Sequence, residues 1–473
     1  MFAGPSQPSS QGPPFSPDMP AADFRRYGES LIGWIANYLE DPRSYRVLPN
    51  CQPGELAHCL PTTGPVNGES MDLILRDFEQ VILPFVTHWN HPGFHAYFSI
   101  SSSAPGILGE LLTSVLNVNA MLWKSCPAAT ELEQITLSWV LDWLHLPAAW
   151  FGMILDSAAN GALQAIVAAR QFAEPESRAA GVSRRLVAYV SEHTHSSVEK
   201  AAIAAGIGHS NVRHIAVDTG FRMRTDALAQ AIQSDAANGL KPFFAAATVG
   251  TTSSTAVDPV GAIATICCEN GLWLHVDGAY AGSFGIVPEC RHLLNGVEQA
   301  DSFVVNPHKM MMVPLDCSLF YTRHPGLLQS AFSLEAEYLK TDAANAVDYM
   351  DYGLALGRRF RALKLWFVMR YFGRDGLAAI LREGLKMAAW LGERIGTDAR
   401  YELAAPVTMG LVCFRLRQGD AATKQLMDRI NSSGRFFVSH TVLDGRFTIR
   451  VAFGNIRTQQ SDAEELWNAI AGP

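Results

Sequence analysis

The chain has 473 residues, 48% of them hydrophobic and 17% charged, with a net charge of −8 and a pI near 6.0. That length exceeds one ordinary domain, and the composition is globular rather than disordered. The acidic balance, with no long Lys/Arg run, argues against nucleic acid and against an anionic membrane surface.

Residues 1–20 carry Pro5, Pro8, Pro13, Pro14, Pro17 and Pro20 among Ser, Gly and Gln, the composition of a disordered or tethered tail. From about Ala22, the residues Phe24, Tyr27, Leu31, Ile35, Tyr38 and Leu39 recur at helical spacing until Pro42 stops the pattern. Segment 50–69 reads as a Pro- and Gly-rich connection, and 70–84 as a second amphipathic helix. Short apolar runs then alternate with helical stretches. Strands are expected at 186–190, 212–217, 243–249, 272–276, 302–305 and 317–321, and helices at 160–173, 196–206 and 257–270. This alternation predicts an α/β fold with a mostly parallel sheet covered by helices. The last two strands have no long helix between them, so that part of the sheet is expected to be mixed. A helical region at 358–396 is followed by strands at 410–416, 436–440 and 447–453 and a closing helix from Asp462. That order suggests a small α+β domain.

The cysteines (Cys51, Cys59, Cys126, Cys267, Cys268, Cys290, Cys317 and Cys413) are scattered and form no CxxC pair. They read as free thiols in a reducing compartment. No apolar stretch is long enough to span a bilayer, and no basic segment followed by an apolar block opens the chain. A cytoplasmic protein is expected. His91 and His95 are four apart, but Pro92 and Gly93 between them spoil a helix, so no metal site is expected.

Lys309 is one of only eight lysines and lies in the apolar segment VVNPHKMMMVPLDCSLFY. Desolvation there would lower its pKa and make the amine nucleophilic, as imine chemistry with an aldehyde cofactor needs. From this segment alone, a lysine snorkelling from a strand edge is an equal reading. Asp277 follows the apolar run LWLHV, where open α/β sheets bind ligands. A carboxylate there can hold a pyridine nitrogen protonated, although Asp is also a common turn or cap residue. His195, in SEHTHSSVEK, can stack on a cofactor ring or simply cap the next helix. DSAANG (156–161) brings small residues to a helix N-terminus, where backbone N–H groups can meet a phosphate.

In their order and spacing, the strings FRRYGESLIGWI, HPGFHAYF, PAATELE, HSSVEKA, TVGTTSSTAVDP, HVDGAYAGS, NPHK, YLK and LGRRFRALKLWF resemble the pyridoxal-phosphate-dependent group II decarboxylases, in particular their aromatic L-amino-acid branch. The resemblance covers about residues 22–455. It implies the PLP-dependent transferase fold type I: a large domain with a mostly parallel, seven-stranded-type sheet, a small C-terminal domain and an N-terminal segment packed on a partner subunit. The expected divisions are a tail (1–20), an N-terminal helical segment (21–103), a large cofactor-binding domain (104–363) and a small domain (364–473). A homodimer acting on an aromatic L-amino acid is implied, with pyridoxal 5'-phosphate as cofactor and neither nucleic acid nor membrane as partner.

Carried over by position, the resemblance makes Lys309 the residue that binds the cofactor covalently. Asp277 pairs with the ring nitrogen, Ala279 lies against the ring, and His195 stacks on the opposite face. Thr248, Asn306 and His308 line the cofactor, with His308 near its phosphate. Ser157, Ala158 and Ala159 form the phosphate loop. Tyr338, in EAEYLK on a loop of about 331–347 that includes Ala343, Ala344, Asn345 and Ala346, protonates the α-carbon. Tyr97, Phe98, Ile100, Met121 and Gly357 bear on the substrate ring. The chain departs from the family where Ala159 replaces a frequent hydroxyl residue, Asn160 an acid, Ile100 a threonine and Met121 an aromatic residue. Gly357 resembles the glycine that favours indole substrates in plant relatives. An aromatic acetaldehyde synthase is the nearest alternative; there the loop tyrosine is typically phenylalanine. Glutamate decarboxylase fits less well, because a second carboxylate would need a basic group that the sequence does not place. A cofactor-binding protein without turnover has only the altered phosphate loop in its favour.

Overall fold

The computed structural model describes residues 18–183, 185–334 and 346–472. Most of the expected tail, and Tyr338, Ala343, Ala344 and Asn345 of the expected loop, lie outside these residues. The chain divides into two compact units, Met1–His88 and Trp89–Pro473.

In the first unit a helix spans Ala21–Glu40 and gives way to a 3-10 turn at Pro42–Ser44, as the sequence predicts. The helix expected at 70–84 is broken. Ser70 caps an α-helix at Met71–Asp77 by accepting from the Leu73 N–H at 3.3 Å. A π-turn at Phe78–Ile82 and a 3-10 turn at Leu83–Phe85 follow. Pro84 has no N–H to donate to the preceding turn, so the α ladder cannot continue through it.

The second unit is built on a seven-stranded sheet. Its strands are β1 (Phe151–Leu155), β2 (Leu186–Ser191), β3 (Val212–Ile215), β4 (Lys241–Thr248), β5 (Trp273–Asp277), β6 (Ser302–Val305) and β7 (Ser318–Thr322), in the order β1-β7-β6-β5-β4-β2-β3. Neighbours from β3 through β6 pair in parallel. β7 is antiparallel to both β6 and β1, so the sheet is mixed where the connecting helix is missing. β1 carries little signal in the sequence and is not among the expected strands. FGMIL has one β-branched residue and a glycine, and Gly152 is needed for packing: a Cβ there would lie 2.8 Å from the Tyr321 ring on β7. The strand therefore forms on its partner rather than from local propensity.

Helices at Ala158–Ala173, Ser196–Ala204 and Val260–Asn270 cover the sheet, close to their predicted positions. β2 is buried along its whole length, as expected of a strand covered on both faces. A long helical stretch, Arg361–Thr397, is interrupted at Gly373, whose φ of +63° breaks the helix. Beyond it, β8 (Tyr401–Leu403), β9 (Leu411–Leu416), β10 (Ser439–Leu443) and β11 (Arg446–Ala452) form an antiparallel sheet in the order β10-β11-β9-β8. The closing helix runs Gln460–Ala471, two residues longer at its start than predicted, because Gln459 and Asp462 form a capping box. The segment around His95 is irregular, with one isolated bridge from Phe94 to Phe437. It hydrogen-bonds the small sheet's surroundings through His95 N–H to Phe437 O (2.8 Å) and Ala452 N–H to His95 O (2.9 Å). No helix among the described residues is long and apolar enough to cross a membrane.

Candidate active site

The carboxyl ends of the central strands open into a pocket lined by Phe98, Ser157, Ala158, Ala159, His195, Ser197, Thr248, Gly250, Thr252, Asp277, Ala279, Tyr280, Asn306 and Lys309. Most of the polar liners are delivered by element ends. Ser157 caps the helix Ala158–Ala173, its hydroxyl accepting from the Asn160 N–H at 3.3 Å. Gly161 lets this helix lie against the sheet, since a Cβ there would stand 2.6 Å from Val304 Cγ1 on β6. Thr248 and Asp277 end β4 and β5 as directly paired residues. The Asp258 carboxylate accepts from the Thr248 N–H at 2.8 Å and holds the end of β4 in place. Gly250 turns the chain just beyond it at φ +86°, with Ala281 packed so closely that a Cβ would meet it at 2.6 Å. Asn306 starts the short helical turn Pro307–Met310 that carries Lys309, and its side-chain oxygen accepts from the Ser318 hydroxyl at 2.6 Å.

Burial pushes the Lys309 ammonium pKa down, opposed by the carboxylate of Asp277. The lysine therefore has a reactive free amine within easier reach than a solvated one. Its Nζ stands 5.9 Å from the centre of the Phe98 ring, and Phe98 stacks on Tyr280 at 3.5 Å. Desolvation also lowers the His195 pKa, opposed by Asp277 and aided by Lys309 and Lys200. Asp277 is buried and is itself fixed, accepting from the Ala279 N–H at 3.0 Å.

Three observations fit this pocket to a phosphorylated pyridine aldehyde. A desolvated lysine and a buried carboxylate share one wall. The buried hydroxyl of Thr248 has no hydrogen-bond partner among the described residues. The first N–H groups of the helix Ala158–Ala173 have no intrahelical acceptor, and Ala158 and Ala159 lie on the pocket wall.

Not every residue expected at the site lines the pocket. His308 is not among the pocket's lining residues; it is buried with its Nδ1 accepting from the Cys317 N–H at 3.0 Å, and burial holds its pKa down at about 4. Successive residues in a helical turn point about 100° apart, so His308 and Lys309 cannot face the same way. Ile100, Met121 and Gly357 are not on the pocket wall, and Tyr97 is half exposed and stacks on Trp89 at 5.6 Å. His91 and His95 are used structurally: His91 accepts from the Gly93 N–H at 2.8 Å, and His95 bonds Ala452 O at 3.0 Å. No cluster of three or more potential metal ligands occurs among the described residues.

Ser197, Gly250, Thr252 and Tyr280 also line the pocket and were not expected, although all four lie within the motifs HSSVEKA, TVGTTSSTAVDP and HVDGAYAGS. Arg450 was not expected either. This buried guanidinium in β11 lies 5.4 Å from the Phe98 ring and donates to Thr252 O (2.6 Å), Ala96 O (3.1 Å) and the Ser439 hydroxyl (3.0 Å). The available signal was an arginine inside the otherwise apolar strand FTIRVAF.

Fold and pocket together define a fold-type I enzyme that uses pyridoxal phosphate. The model of the pyridoxal-dependent decarboxylase conserved domain matches residues 53–417, and the chain belongs to that family of carboxy-lyases. Phenylacetaldehyde synthase of Arabidopsis thaliana is 40% identical over 472 residues, covering 96% of each chain. Aromatic-L-amino-acid decarboxylase of Bos taurus is 40% identical over 470 residues, again 96% of each chain. The crystal structure of Oryza sativa TDC with PLP and tryptamine superposes with a TM-score of 0.94 at 37% identity, over 97% of this chain and 98% of that one. The chain is thus an aromatic amino-acid decarboxylase or aldehyde synthase by family.

Proposed function

We propose that the chain decarboxylates an aromatic L-amino acid to the arylalkylamine and carbon dioxide. The observation that carries this reading is the gathering of a desolvated Lys309, a buried Asp277 and His195 around one pocket with an aromatic wall. Bound there, pyridoxal phosphate supplies an electron sink for the charge left when carbon dioxide departs. Lys309 would hold the cofactor through its aldehyde, with its desolvated amine. Asp277 is the carboxylate that keeps a ring nitrogen protonated. The helix end at Ala158 and Ala159, with the Ser157 and Thr248 hydroxyls nearby, is the anion site and anchor. Phe98 and Tyr280 give an aromatic side chain a flat apolar surface and help exclude water. The Tyr338 phenol is the proton donor to the α-carbon in this reading.

The alternative, an aldehyde synthase, is favoured by the 40% identity to the Arabidopsis thaliana enzyme. Tyr338 in the sequence supports the decarboxylase. A product assay on tryptophan, tyrosine, phenylalanine and dihydroxyphenylalanine, following amine and hydrogen peroxide together, separates the two. Amine without peroxide is expected; peroxide in step with carbon dioxide overturns the reading.

A homodimer is part of the same proposal. On the helix Ala104–Leu116, the residues Leu108, Leu111, Leu112, Val115 and Leu116 are spaced as one apolar stripe and are between 44% and 65% exposed. A stripe of that size calls for a covering partner, and a second copy of the chain is the one proposed. Sedimentation at twice the chain's mass checks it.

A further inference from the structure

Nδ1 of His195 receives two contacts from one residue: the Ser197 backbone N–H at 3.2 Å and the Ser197 hydroxyl at 2.8 Å. The cause is local. His195 is the N-cap of the helix Ser196–Ala204, with φ −61° and ψ 134°, so its side chain folds over the first free N–H groups of that helix. A backbone N–H can only donate. Nδ1 must therefore be the acceptor, and a neutral imidazole that accepts at Nδ1 carries its one proton on Nε2. A second proton on Nδ1 would face the Ser197 N–H directly. The positive end of the helix dipole opposes an imidazolium at the same place.

We propose that Ser197 is a positioning residue that fixes His195 as a neutral imidazole with its proton on Nε2, a hydrogen-bond donor to the pocket. The inference rests on the pocket being the decarboxylase active site. The charged groups around the ring divide: Asp277 on β5 favours the protonated form, while Lys309 on the turn Pro307–Met310 and Lys200 on the ring's own helix oppose it, as does desolvation, the largest effect. The helix-end hydrogen bonds add to the side that wins. His195 then offers one N–H to a substrate oxygen, and it holds no second proton to deliver as an imidazolium acid near neutral pH. The α-carbon's proton must come from another group.

The test is nitrogen NMR of the holoenzyme labelled at histidine, with His195→Gln to assign the signals. The wild type is expected to show an unprotonated Nδ1 and a protonated Nε2 at neutral pH, with the second proton taken up only below the range of a free imidazole. Ser197→Ala removes the hydroxyl contact and leaves the N–H. It should raise the pH at which the ring takes its second proton by roughly 0.5–1 unit, a 3–10-fold rise in proton affinity. Ser197→Thr keeps the hydroxyl and should restore the wild-type titration, a rescue that a merely structural role for Ser197 would not produce. A protonated Nδ1 in the wild type, or an imidazolium at neutral pH, overturns the proposal, as does an alanine variant that titrates like the wild type. If the alanine variant fails to fold, the wild-type spectrum still decides. An enzyme that makes amine with Nδ1 protonated defeats this inference alone; the expected tautomer without turnover defeats the decarboxylase reading alone.

Discussion

In the proposed reading, the Tyr338 hydroxyl decides between two chemical outcomes. Proton delivery to the α-carbon gives the amine and consumes nothing further. Without a donor there, dioxygen and water would be consumed instead, and the amino acid would give aldehyde, carbon dioxide, ammonia and hydrogen peroxide. Tyr338→Phe is expected to divert most of the product from amine to aldehyde and peroxide, measured by simultaneous amine and peroxide assays on one substrate. An unchanged amine yield would remove Tyr338 from its proposed role. At this scale the sequence was informative where chemistry is rare. Lys309 is conspicuous because few lysines sit in apolar runs, and Asp277 because it ends one. It was silent where the signal is a backbone event. Ser197 touches His195 only because the chain turns into a helix there, and Arg450 approaches Phe98 from more than 300 residues away in the chain.

The helix Ala158–Ala173 shows how an element end becomes a binding group. Its N-terminus meets the pocket only because Gly161 lets it approach β6, with 2.6 Å between a would-be Cβ and Val304 Cγ1. Gly161→Ala improves helix propensity by up to about 1 kcal/mol. The clash should cost about 1–3 kcal/mol and win, because the neighbour is buried sheet rather than a mobile tip. The expected result is a lower melting temperature together with weaker binding of pyridoxal phosphate, read by thermal scans and cofactor titration. Full stability with wild-type affinity would mean the helix has room to spare. Elements with a strong local pattern were legible in the sequence: β2, β6 and the helix Ala21–Glu40 fall close to their predicted bounds. Those that depend on a partner were not. β1 needs Tyr321 beside Gly152, and the 70–84 region breaks because Pro84 outweighs its apolar periodicity.

Among the described residues, three of the buried imidazoles make the fold sensitive to acid, opposed by the buried Asp258 carboxyl, which burial raises to about 6. Burial lowers His95, His275 and His308 from the ordinary 6.5 to about 4. Above pH 6.5 these rings are neutral in both the folded and the unfolded chain. Below it the unfolded chain takes up protons that the folded chain refuses, so stability present above pH 6.5 is lost as the pH falls towards 4. Each ring accounts for up to about 3 kcal/mol over that interval. Melting curves from neutral pH to pH 4 should steepen below 6.5, and replacing His95 with glutamine should flatten the fall. A wild-type melting temperature independent of pH over this range would contradict the burial of these rings.

Every role assigned to the pocket assumes a covalent bond at Lys309, and peptide mapping after borohydride reduction tests that bond. Protein supplied with pyridoxal phosphate should turn yellow, and reduction should leave a pyridoxyl phosphate group on the peptide containing Lys309, absent from Lys309→Ala. A colourless protein, or an adduct that persists in the alanine variant, would contradict it.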